Sequence, residues 1–498
     1  MTKLSLPFLF ILNLAFLFLG CVSSSQFHKT EIPPDQQLTE QLTTILDHPD
    51  LAPMTIGIKI MSPITGETIF ARHSDRLFHP GSNMKMFTAT GVLRTMGPDY
   101  RYITSVFTEK NASVNKDTLF TSLFLVGRGD PLLESKHLTN LANTVAKKTT
   151  AKVIKGNVII DQSYLDLTPF GEGWMWDDIQ YRFSAPINAL SINGNSIRIL
   201  ISPGASIGSP VSVRVDPPNA SINFDVRAKT TKESSPNRFT TPPIRVERDW
   251  QSRTNKIQIT GTLGINDQKQ EFYRSIEEPG VFAGSLFRDQ LHRLGVKITG
   301  NIYYGHTPPL AQPLAHHIST PISKALSHLL KDSDNLTAEL LLKTMGRYKT
   351  SNPGNSLDGL KVLRKELEDY IGLIPDSYRF SDGSGLSWYN YLSPDQITNL
   401  LLKNYHDSST GNIFRESLAV AGVDGTLKHR MRNTLAMGNL RAKTGTLTGV
   451  SCLSGYVWTK NNKPLIFSIM INNFVGSSMR ARRVQDEIGV VLANCRLN

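Results

Sequence analysis

Cysteine is scarce in this chain of 498 residues, which contains only three. So few thiols exclude a small fold held together by a disulfide framework. Cys452 and Cys495 could pair only if the fold brings them together, and we interpret them as buried thiols. Charged residues make up 19% of the chain and hydrophobic residues 40%. This balance excludes a collagen-like fibre, a largely disordered chain and a protein with many membrane spans.

Common motifs of cofactor chemistry are also missing. The sequence contains no P-loop, no glycine fingerprint for dinucleotides and no HExxH pair of zinc ligands. His316 and His317 are adjacent, but no cysteine, aspartate or further histidine stands at ligand spacing around them. We therefore expect neither a metal nor an organic cofactor.

Positive charge is in excess, because 54 lysines and arginines against 42 aspartates and glutamates give a formal charge of +12. Such an excess favours an anionic partner: a nucleic acid, an acidic lipid surface or an acidic polymer. Composition alone does not choose between these partners, and a solvated basic surface is the simplest alternative.

Residues 1–25 have the layout of an export signal, with Lys3 before an apolar run over residues 4–19. An exported protein works in the periplasm or cell envelope, which argues against nucleic acid as the partner. Gly20-Cys21 is similar to a bacterial lipoprotein cleavage site. Lipid attachment through Cys21, plain cleavage and retention of the segment as a membrane anchor all stay open.

The rest of the chain divides into three stretches that differ in predicted secondary structure. Residues 26–95 contain two short strands and an apolar helix. Residues 96–312 are β-rich, with alternating runs between proline, glycine and asparagine clusters, and helical periodicity is scarce through most of them. Residues 313–498 return to helices, followed by strands at 438–458 and 464–473 and a closing helix. We predict one α/β (α+β) domain built from both ends of the chain and interrupted by a β-rich insertion of one or two domains.

Ser82 and Lys85 stand three residues apart at the start of the apolar helix, so they share one helical face. A serine hydroxyl is a weak nucleophile until a base takes its proton. A lysine can be that base if burial lowers its pKa. The pattern alone is weak, because Ser113 and Lys116 repeat it in a polar, loop-like stretch.

A second pattern, Ser333-Asp334-Asn335, lies between helix-forming residues. The serine offers a hydroxyl relay, and the asparagine offers an amide that can both donate and accept hydrogen bonds. The alternative is a helix N-cap, which all three residue types favour.

A third pattern, Lys443-Thr444-Gly445-Thr446, opens a strand. The lysine adds positive charge, the threonines offer hydroxyls to a carboxylate, and the glycine permits close approach to the strand edge. The alternative is an ordinary strand with an exposed lysine.

In this order, S-x-x-K, S-D-N and K-T-G resemble the three motifs of the penicilloyl-serine transferases. The sequence around them resembles the class C low-molecular-mass penicillin-binding proteins, which act as D-alanyl-D-alanine carboxypeptidases and endopeptidases. The matching segments cover nearly the whole chain after the signal; they are HPGSNMKMFTA (79–89), GRGDPLL (127–133), GWMWDDI (173–179), SDNLTAELLL (333–342), DGSGLSWYN (382–390), GVDGTLKHRM (422–431) and AKTGTLTGVSCLSGYV (442–457). Gly81 and Trp388 depart from the commoner alanine and arginine.

The resemblance implies a β-lactamase/transpeptidase-like domain, in which helices flank an antiparallel sheet. It implies a serine-type D-Ala-D-Ala carboxypeptidase that is also a DD-endopeptidase and acts on peptidoglycan stem peptides through an acyl-serine intermediate. It also implies β-lactams as covalent inhibitors.

The resemblance assigns a role to each residue of the motifs. Five residues would act on the reacting bond: Ser82 as nucleophile, Lys85 as its general base, Ser333 and Lys443 as a second proton route, and Asn335 as the group that holds the peptide bond. The backbone N–H groups of Ser82 and Thr446 would form the oxyanion hole. The substrate's terminal carboxylate would bind at Thr444, Gly445 and Thr446.

Asp178, in the GWMWDDI segment, matches by position the acidic residue that takes the free amino group of the stem's diamino acid. The alternative is a loop carboxylate with no partner in catalysis. We interpret Trp174 and Trp176 as packing that supports this segment.

Two other functions stay open. A β-lactamase of the same fold would need a carboxylate that activates water, and the sequence nominates none. The other is a non-catalytic lipoprotein that binds the cell wall. Such a protein would not need all the serines, lysines and the asparagine of the three motifs, and here they are all present.

Overall fold

The computed structural model describes residues 34–219, 221–233 and 243–497. The predicted export signal and Cys21 lie outside the described residues. Within those ranges, no helix is both long and apolar enough to cross a membrane.

The described residues contain ten α-helices. They are α1 (Pro34–Leu46), α2 (Met84–Met96), α3 (Ser135–Thr149), α4 (Pro279–Arg293), α5 (Ile322–Lys331), α6 (Asn335–Thr350), α7 (Ser356–Ile371), α8 (Pro394–His406), α9 (Gly411–Glu416) and α10 (Met479–Asn494). Helix α3 corrects the expectation of little helix in its part of the chain. Its buried side is formed by Leu138, Leu141, Ala142 and Val145, which repeat at helical spacing.

The strands of the described residues are β1 (Thr55–Met61), β2 (Thr68–Arg72), β3 (Ile103–Thr108), β4 (Ser113–Asn115), β5 (Thr118–Phe120), β6 (Leu123–Val126), β7 (Val153–Ile154), β8 (Val158–Asp161), β9 (Ser196–Ser202), β10 (Ser212–Asp216), β11 (Asn223–Val226), β12 (Lys229–Thr231), β13 (Arg245–Arg248), β14 (Lys256–Thr260), β15 (Thr262–Gly264), β16 (Gln270–Ser275), β17 (Lys297–Ile298), β18 (Ile302–Tyr304), β19 (Gln312–Ile318), β20 (Ala419–Val420), β21 (Arg441–Leu447), β22 (Val450–Trp458) and β23 (Pro464–Asn472).

Strands from both ends of the chain form one six-stranded antiparallel sheet, in the order β2-β1-β23-β22-β21-β20. Alternate residues of β22 face different cores: Cys452 and Tyr456 pack with helices α2 and α5–α8, whereas Leu453 and Val457 pack with α1 and α10. Because both faces are covered, β22 and β23 are apolar along most of their length. Helices flanking an antiparallel sheet give the mixed α/β class that the sequence predicts.

The stretch at 438–458 is two strands rather than the single strand expected. Strands β21 and β22 pair from Arg441 opposite Tyr456 to Leu447 opposite Val450, which leaves a two-residue turn. Its second residue, Gly449, has a φ of 69°, as tight hairpin turns require. The Lys443–Thr446 pattern therefore lies on a strand that ends in this turn.

Residues 103–318 form the other sheets of the described chain. A five-stranded sheet has the order β18-β8-β6-β3-β19, a four-stranded sheet β17-β7-β5-β4, and three smaller sheets are β10-β9-β16, β11-β14-β13 and β12-β15. Their buried residues, with those of α3 and α4, make a separate hydrophobic cluster. Strand β19 begins at residue 312, where the sequence predicts the end of the insertion. It pairs with β3 as far as residue 318, so this sheet extends beyond the predicted boundary.

Cys452 is a fully buried free thiol, and its Sγ donates to the carbonyl oxygen of His79 at 3.5 Å. Burial raises the pKa of this thiol. The interpretation of Cys452 as a buried thiol is confirmed, and Cys495 is half-buried at the end of α10.

The packing of α10 on the sheet gives a stability prediction. Ile488 is fully buried in the cluster that α10 shares with the sheet. Ile488→Ala should lower the free energy of unfolding by about 2–5 kcal/mol, because it removes buried methyl groups and leaves a cavity. Urea denaturation followed by circular dichroism measures this. The control is Glu487→Ala, at the exposed next position, which should change the value by less than about 0.5 kcal/mol. Equal effects of the two changes would contradict this packing.

Candidate active site

A short 3₁₀ turn, Gly81–Asn83, carries Ser82 into the start of α2. The turn is tied to the sheet by Asn83, whose Nδ2 donates to Ser454 Oγ at 2.8 Å. Gly81 has a φ of 49°, and a β-carbon there would stand 3.0 Å from the amide nitrogen of Thr446. This close approach gives a local reason for glycine rather than alanine before Ser82.

Gly445 on β21 lies against the same turn. A β-carbon at Gly445 would stand 2.4 Å from the carbonyl oxygen of Pro80 and 3.2 Å from the amide nitrogen of Ser82. Glycine therefore lets the strand edge reach the backbone of the turn. The amide of Ser82 and the backbone of β21 lie side by side, which is the arrangement that an oxyanion hole requires.

Lys85 is fully buried in the first turn of α2, three residues after Ser82. Its Nζ donates to Ser82 Oγ at 3.0 Å, to Asn335 Oδ1 at 2.5 Å and to the carbonyl oxygen of Ser384 at 2.6 Å. Burial lowers the pKa of Lys85 to about 8, against the opposing charge of nearby carboxylates, of which Asp382 is the strongest. Such an amine is neutral often enough near pH 8 to accept a proton from Ser82.

Ser333 lies between α5 and α6 with a φ of 61°, a conformation that residues other than glycine adopt rarely. The next residue, Asp334, is the N-cap of α6 and accepts a hydrogen bond from the amide of Thr337 at 2.7 Å. The N-cap alternative is therefore correct for Asp334. Ser333 and Asn335, on either side of it, face the cavity described below.

Lys443 is fully buried on β21, so the alternative of an exposed strand lysine is wrong. Its Nζ donates to Ser333 Oγ at 2.8 Å and to the carbonyl oxygen of Thr444 at 2.8 Å. Burial, with a smaller contribution from the charge of Lys85, lowers the pKa of Lys443 well below its ordinary value. Two serine hydroxyls thus each contact one buried lysine.

Asn335 connects the motifs to residues 103–318. Its Oδ1 accepts from Lys85, and its Nδ2 donates to the carbonyl oxygen of Phe183 at 2.7 Å. The second N–H of this amide is not used by either bond. It is available to a peptide carbonyl in the cavity.

Asp382 is a buried residue that none of the three motifs contains. Its carboxylate accepts hydrogen bonds from Ser384 Oγ, Gly385 N, Ser387 N, Asn390 Nδ2 and Trp174 Nε1. This network fixes the loop that presents the carbonyl oxygen of Ser384 to Lys85. The sequence feature that points to Asp382 is the run Asp-Gly-Ser-Gly at 382–385, because an aspartate before small residues is typical of hydrogen-bonded turns.

A cavity of about 660 Å³ opens in front of these groups. The predicted residues on its walls are Ser82, Ser333, Asn335, Thr444, Thr446 and Asp178. Lys85 and Lys443 lie behind Ser82 and Ser333, and Gly445 faces the turn at Ser82. Trp388 also lines the cavity, and its ring packs edge-on against His79 with centroids 5.1 Å apart. The structure thus brings together all the site residues that the sequence predicts.

Asp178 reaches the cavity from a 3₁₀ helix, Trp176–Asp178. Partial burial and the negative charge of Asp177 raise the pKa of Asp178. Trp174 supports this segment as expected, since its Nε1 donates to Asp382 Oδ2 at 2.9 Å. Trp176 is 67% exposed, and its ring packs edge-on against Trp250.

Comparison with known proteins agrees with this geometry. A family model described as D-Ala-D-Ala carboxypeptidase 3 (S13) matches residues 38–495. The D-alanyl-D-alanine carboxypeptidase of Actinomadura sp. (strain R39) is 32% identical over 471 residues, covering 92% of this chain and 84% of that protein. The D-alanyl-D-alanine carboxypeptidase DacB of Haemophilus influenzae is 24% identical, covering 80% of this chain and 82% of that protein.

The fold also matches a solved structure. Penicillin binding protein 4 from Haemophilus influenzae superposes with a TM-score of 0.76 at 23% identity, covering 93% of this chain and 100% of that one. Because the family model spans almost all of the described residues, this chain belongs to the D-Ala-D-Ala carboxypeptidase 3 (S13) family of serine peptidases.

Proposed function

We propose that this carboxypeptidase hydrolyses the D-Ala-D-Ala end of peptidoglycan stem peptides through an acyl-enzyme on Ser82. The observation that carries the proposal is the 3.0 Å contact between Ser82 Oγ and the buried Nζ of Lys85, at the wall of an open cavity. The second lysine–serine pair, Lys443 and Ser333, stands beside the same cavity.

The contacts of Lys85 favour its action as the base toward Ser82. Two of its three partners, Asn335 Oδ1 and the carbonyl oxygen of Ser384, can only accept hydrogen bonds. A neutral lysine has two N–H groups and one lone pair. When those two oxygens take the N–H groups, the lone pair is left for the hydroxyl proton of Ser82.

In acylation, Ser82 Oγ attacks the carbonyl carbon of the penultimate D-Ala while its proton passes to Lys85 Nζ. The carbonyl oxygen becomes an oxyanion, which the backbone N–H groups of Ser82 and Thr446 stabilise. The intermediate then expels the amine of the last D-Ala as the C–N bond breaks. That amine is protonated through Ser333 and Lys443, and the proton that Lys85 took from Ser82 replaces the one they supply. Lys85 is then neutral again, and an ester is left on Ser82.

Deacylation reverses these steps with water in place of the amine. Water attacks the ester carbonyl and gives up a proton to the neutral amine of Lys85. The C–O bond to Ser82 then breaks, and Lys85 returns the proton to Ser82 Oγ. The products are the shortened stem peptide and free D-Ala, and the enzyme is restored.

The carboxylate of the leaving D-Ala fits the wall formed by β21. Thr444 and Thr446 are two residues apart on the strand, so their side chains point to the same side, and both line the cavity. Thr444 Oγ1 already contacts Thr426 Oγ1 at 2.8 Å, which orients it. Two hydroxyl donors on one side of the strand suit the oxygens of a carboxylate.

We infer that the same site also cleaves cross-links as a DD-endopeptidase and is acylated by β-lactams. The export signal predicted over residues 1–25 would place the activity in the periplasm or cell envelope, with lipidation of Cys21 as a route to membrane attachment. The formal charge of +12 suits a wall polymer rich in carboxylates.

Ser82→Ala should abolish both the release of D-Ala from a stem pentapeptide and the covalent attachment of penicillin. The expected loss is on the order of 10⁶-fold, because the nucleophile is removed. Mass spectrometry of products and of the labelled protein measures it, and conversion of cross-linked dimers to monomers reports endopeptidase action.

Ser113→Ala is the matched control, since Ser113, on the exposed strand β4, and Lys116, just after that strand, repeat the spacing; it should behave as wild type. Penicillin attached to the Ser82→Ala protein would overturn the assignment. A label that leaves wild-type Ser82 within seconds would indicate a β-lactamase instead.

The pKa of Lys85 predicts a pH profile. The base acts in its neutral form, so acylation by a small thioester should rise with pH and level off above about 8. Below that value the rate should fall about tenfold for each pH unit. Lys85→Arg keeps its proton and should stay inactive at every pH tested. Initial rates between about pH 6 and pH 10 measure this, and a flat wild-type profile would contradict the role of Lys85.

Asp178→Ala should raise KM about 10- to 100-fold for stem peptides that carry a free amino group, because it removes one charged hydrogen-bond partner. A small thioester without that group should be affected far less. Asp177→Ala is the control, since it removes the same charge from the neighbouring wall position. An equal change in KM for peptide and thioester would contradict a role of Asp178 in binding the amino group.

A further inference from the structure

Trp176 is exposed beside the active-site cavity. Its side chain is 67% exposed, and its ring packs edge-on against that of Trp250, with centroids 4.9 Å apart and planes at 65°. The residues on either side, Met175 and Asp177, line the cavity. An indole left in water forgoes a large gain from burial, so the exposed ring of Trp176 beside the half-buried ring of Trp250 points to a ligand that covers it.

Trp250 also forms one wall of a second groove, of about 410 Å³. The rest of the groove is polar, with amide, carboxylate and ammonium side chains; among them are Gln180, Glu247, Asp249, Gln251, Lys256 and Gln258. A flat aromatic face next to many donors and acceptors suits a sugar, because a pyranose ring has an apolar C–H face and a rim of hydroxyl groups.

A buried network holds the two tryptophans in place. The side chain of Arg248 is fully buried and pairs with Glu277 at 3.2 Å. Its Nη2 donates to the carbonyl oxygen of Ile179 at 2.9 Å, and its backbone N–H donates to Gln180 Oε1 at 3.2 Å. The segment that carries Trp176 is therefore fixed to the turn that carries Trp250. A preformed site loses little entropy when a ligand binds.

The ligand that we expect to cover the tryptophans is part of the proposed substrate itself. In peptidoglycan every stem peptide is attached to an amino sugar of a glycan strand. Four extended residues span about 13–14 Å, so the sugar lies within that distance of the bond that Ser82 attacks. The segment from Met175 to Gln180 has one end at the cavity and the other at the groove.

We propose that Trp176, Trp250 and the polar groove beside them bind the glycan strand of peptidoglycan while its stem peptide occupies the cavity. This proposal rests on the proposed function and adds a second contact between enzyme and substrate. The indole faces stack on sugar rings, and the groove side chains bind hydroxyl and acetamido groups.

Binding of peptide-free glycan strands tests the site without any reaction. Isothermal titration should show binding to the wild-type protein and at least about tenfold weaker binding to Trp176→Ala and Trp250→Ala. The matched control is Tyr303→Ala, which removes a 45% exposed aromatic ring from β18 and should bind as wild type. Failure of the wild type to bind, or equal binding by all variants, overturns the proposal.

A ratio of rates then connects the site to catalysis. The ratio compares kcat/KM for a stem pentapeptide that carries its glycan with kcat/KM for the free pentapeptide. It should be about ten or more in the wild type and fall toward one in Trp176→Ala. A ratio that Trp176→Ala leaves unchanged overturns the glycan site. If the wild type binds glycan strands but releases D-Ala from neither substrate, the proposed function is overturned and the glycan site is not.

Discussion

The burial of two lysine ammonium groups is the constraint on which the site depends. Lys85 and Lys443 are both fully buried, and taking an ammonium out of water costs several kcal/mol unless strong partners replace the water. Their partners are hydroxyl and carbonyl oxygens rather than carboxylates in direct contact. These neutral acceptors compensate the charge only in part. The neutral amine therefore forms more readily than in an ordinary lysine, so a lysine can act as a base.

The nearest carboxyl groups preserve this balance. Asp382 is occupied by hydrogen bonds from its own loop and from Trp174. Burial, with the negative charge of Asp382, raises the pKa of Glu339 to about 8, which weakens the negative charge of this carboxyl group near Lys85. A direct ion pair would instead hold Lys85 protonated and leave Ser82 without a base.

Local patterns revealed the motif residues, because a three-residue spacing on a helix or a run on a strand can be read directly from the sequence. They could not reveal the contacts between motifs: Lys85 and Asn335 are 250 residues apart, and Lys85 and Ser384 are 299 apart. The hairpin turn at Gly449 and the apolar side of α3 did leave local signals, a Thr-Gly pair and a helical repeat. The exposure of Trp176 left none, because an indole in a short segment reads equally well as core.

The same short segment explains how residues 103–318 can affect a reaction whose groups lie elsewhere. In a 3₁₀ helix, successive side chains point about 120° apart, so Asp178 can face the cavity while Trp176 faces outward. A few residues later, the carbonyl oxygen of Phe183 holds the amide of Asn335, whose other end accepts from Lys85. A shift of this segment would therefore move both the cavity wall and Asn335, whose Oδ1 accepts a hydrogen bond from Lys85. In the proposed mechanism, one stretch of backbone thus contacts both the substrate cavity and the group that orients Lys85.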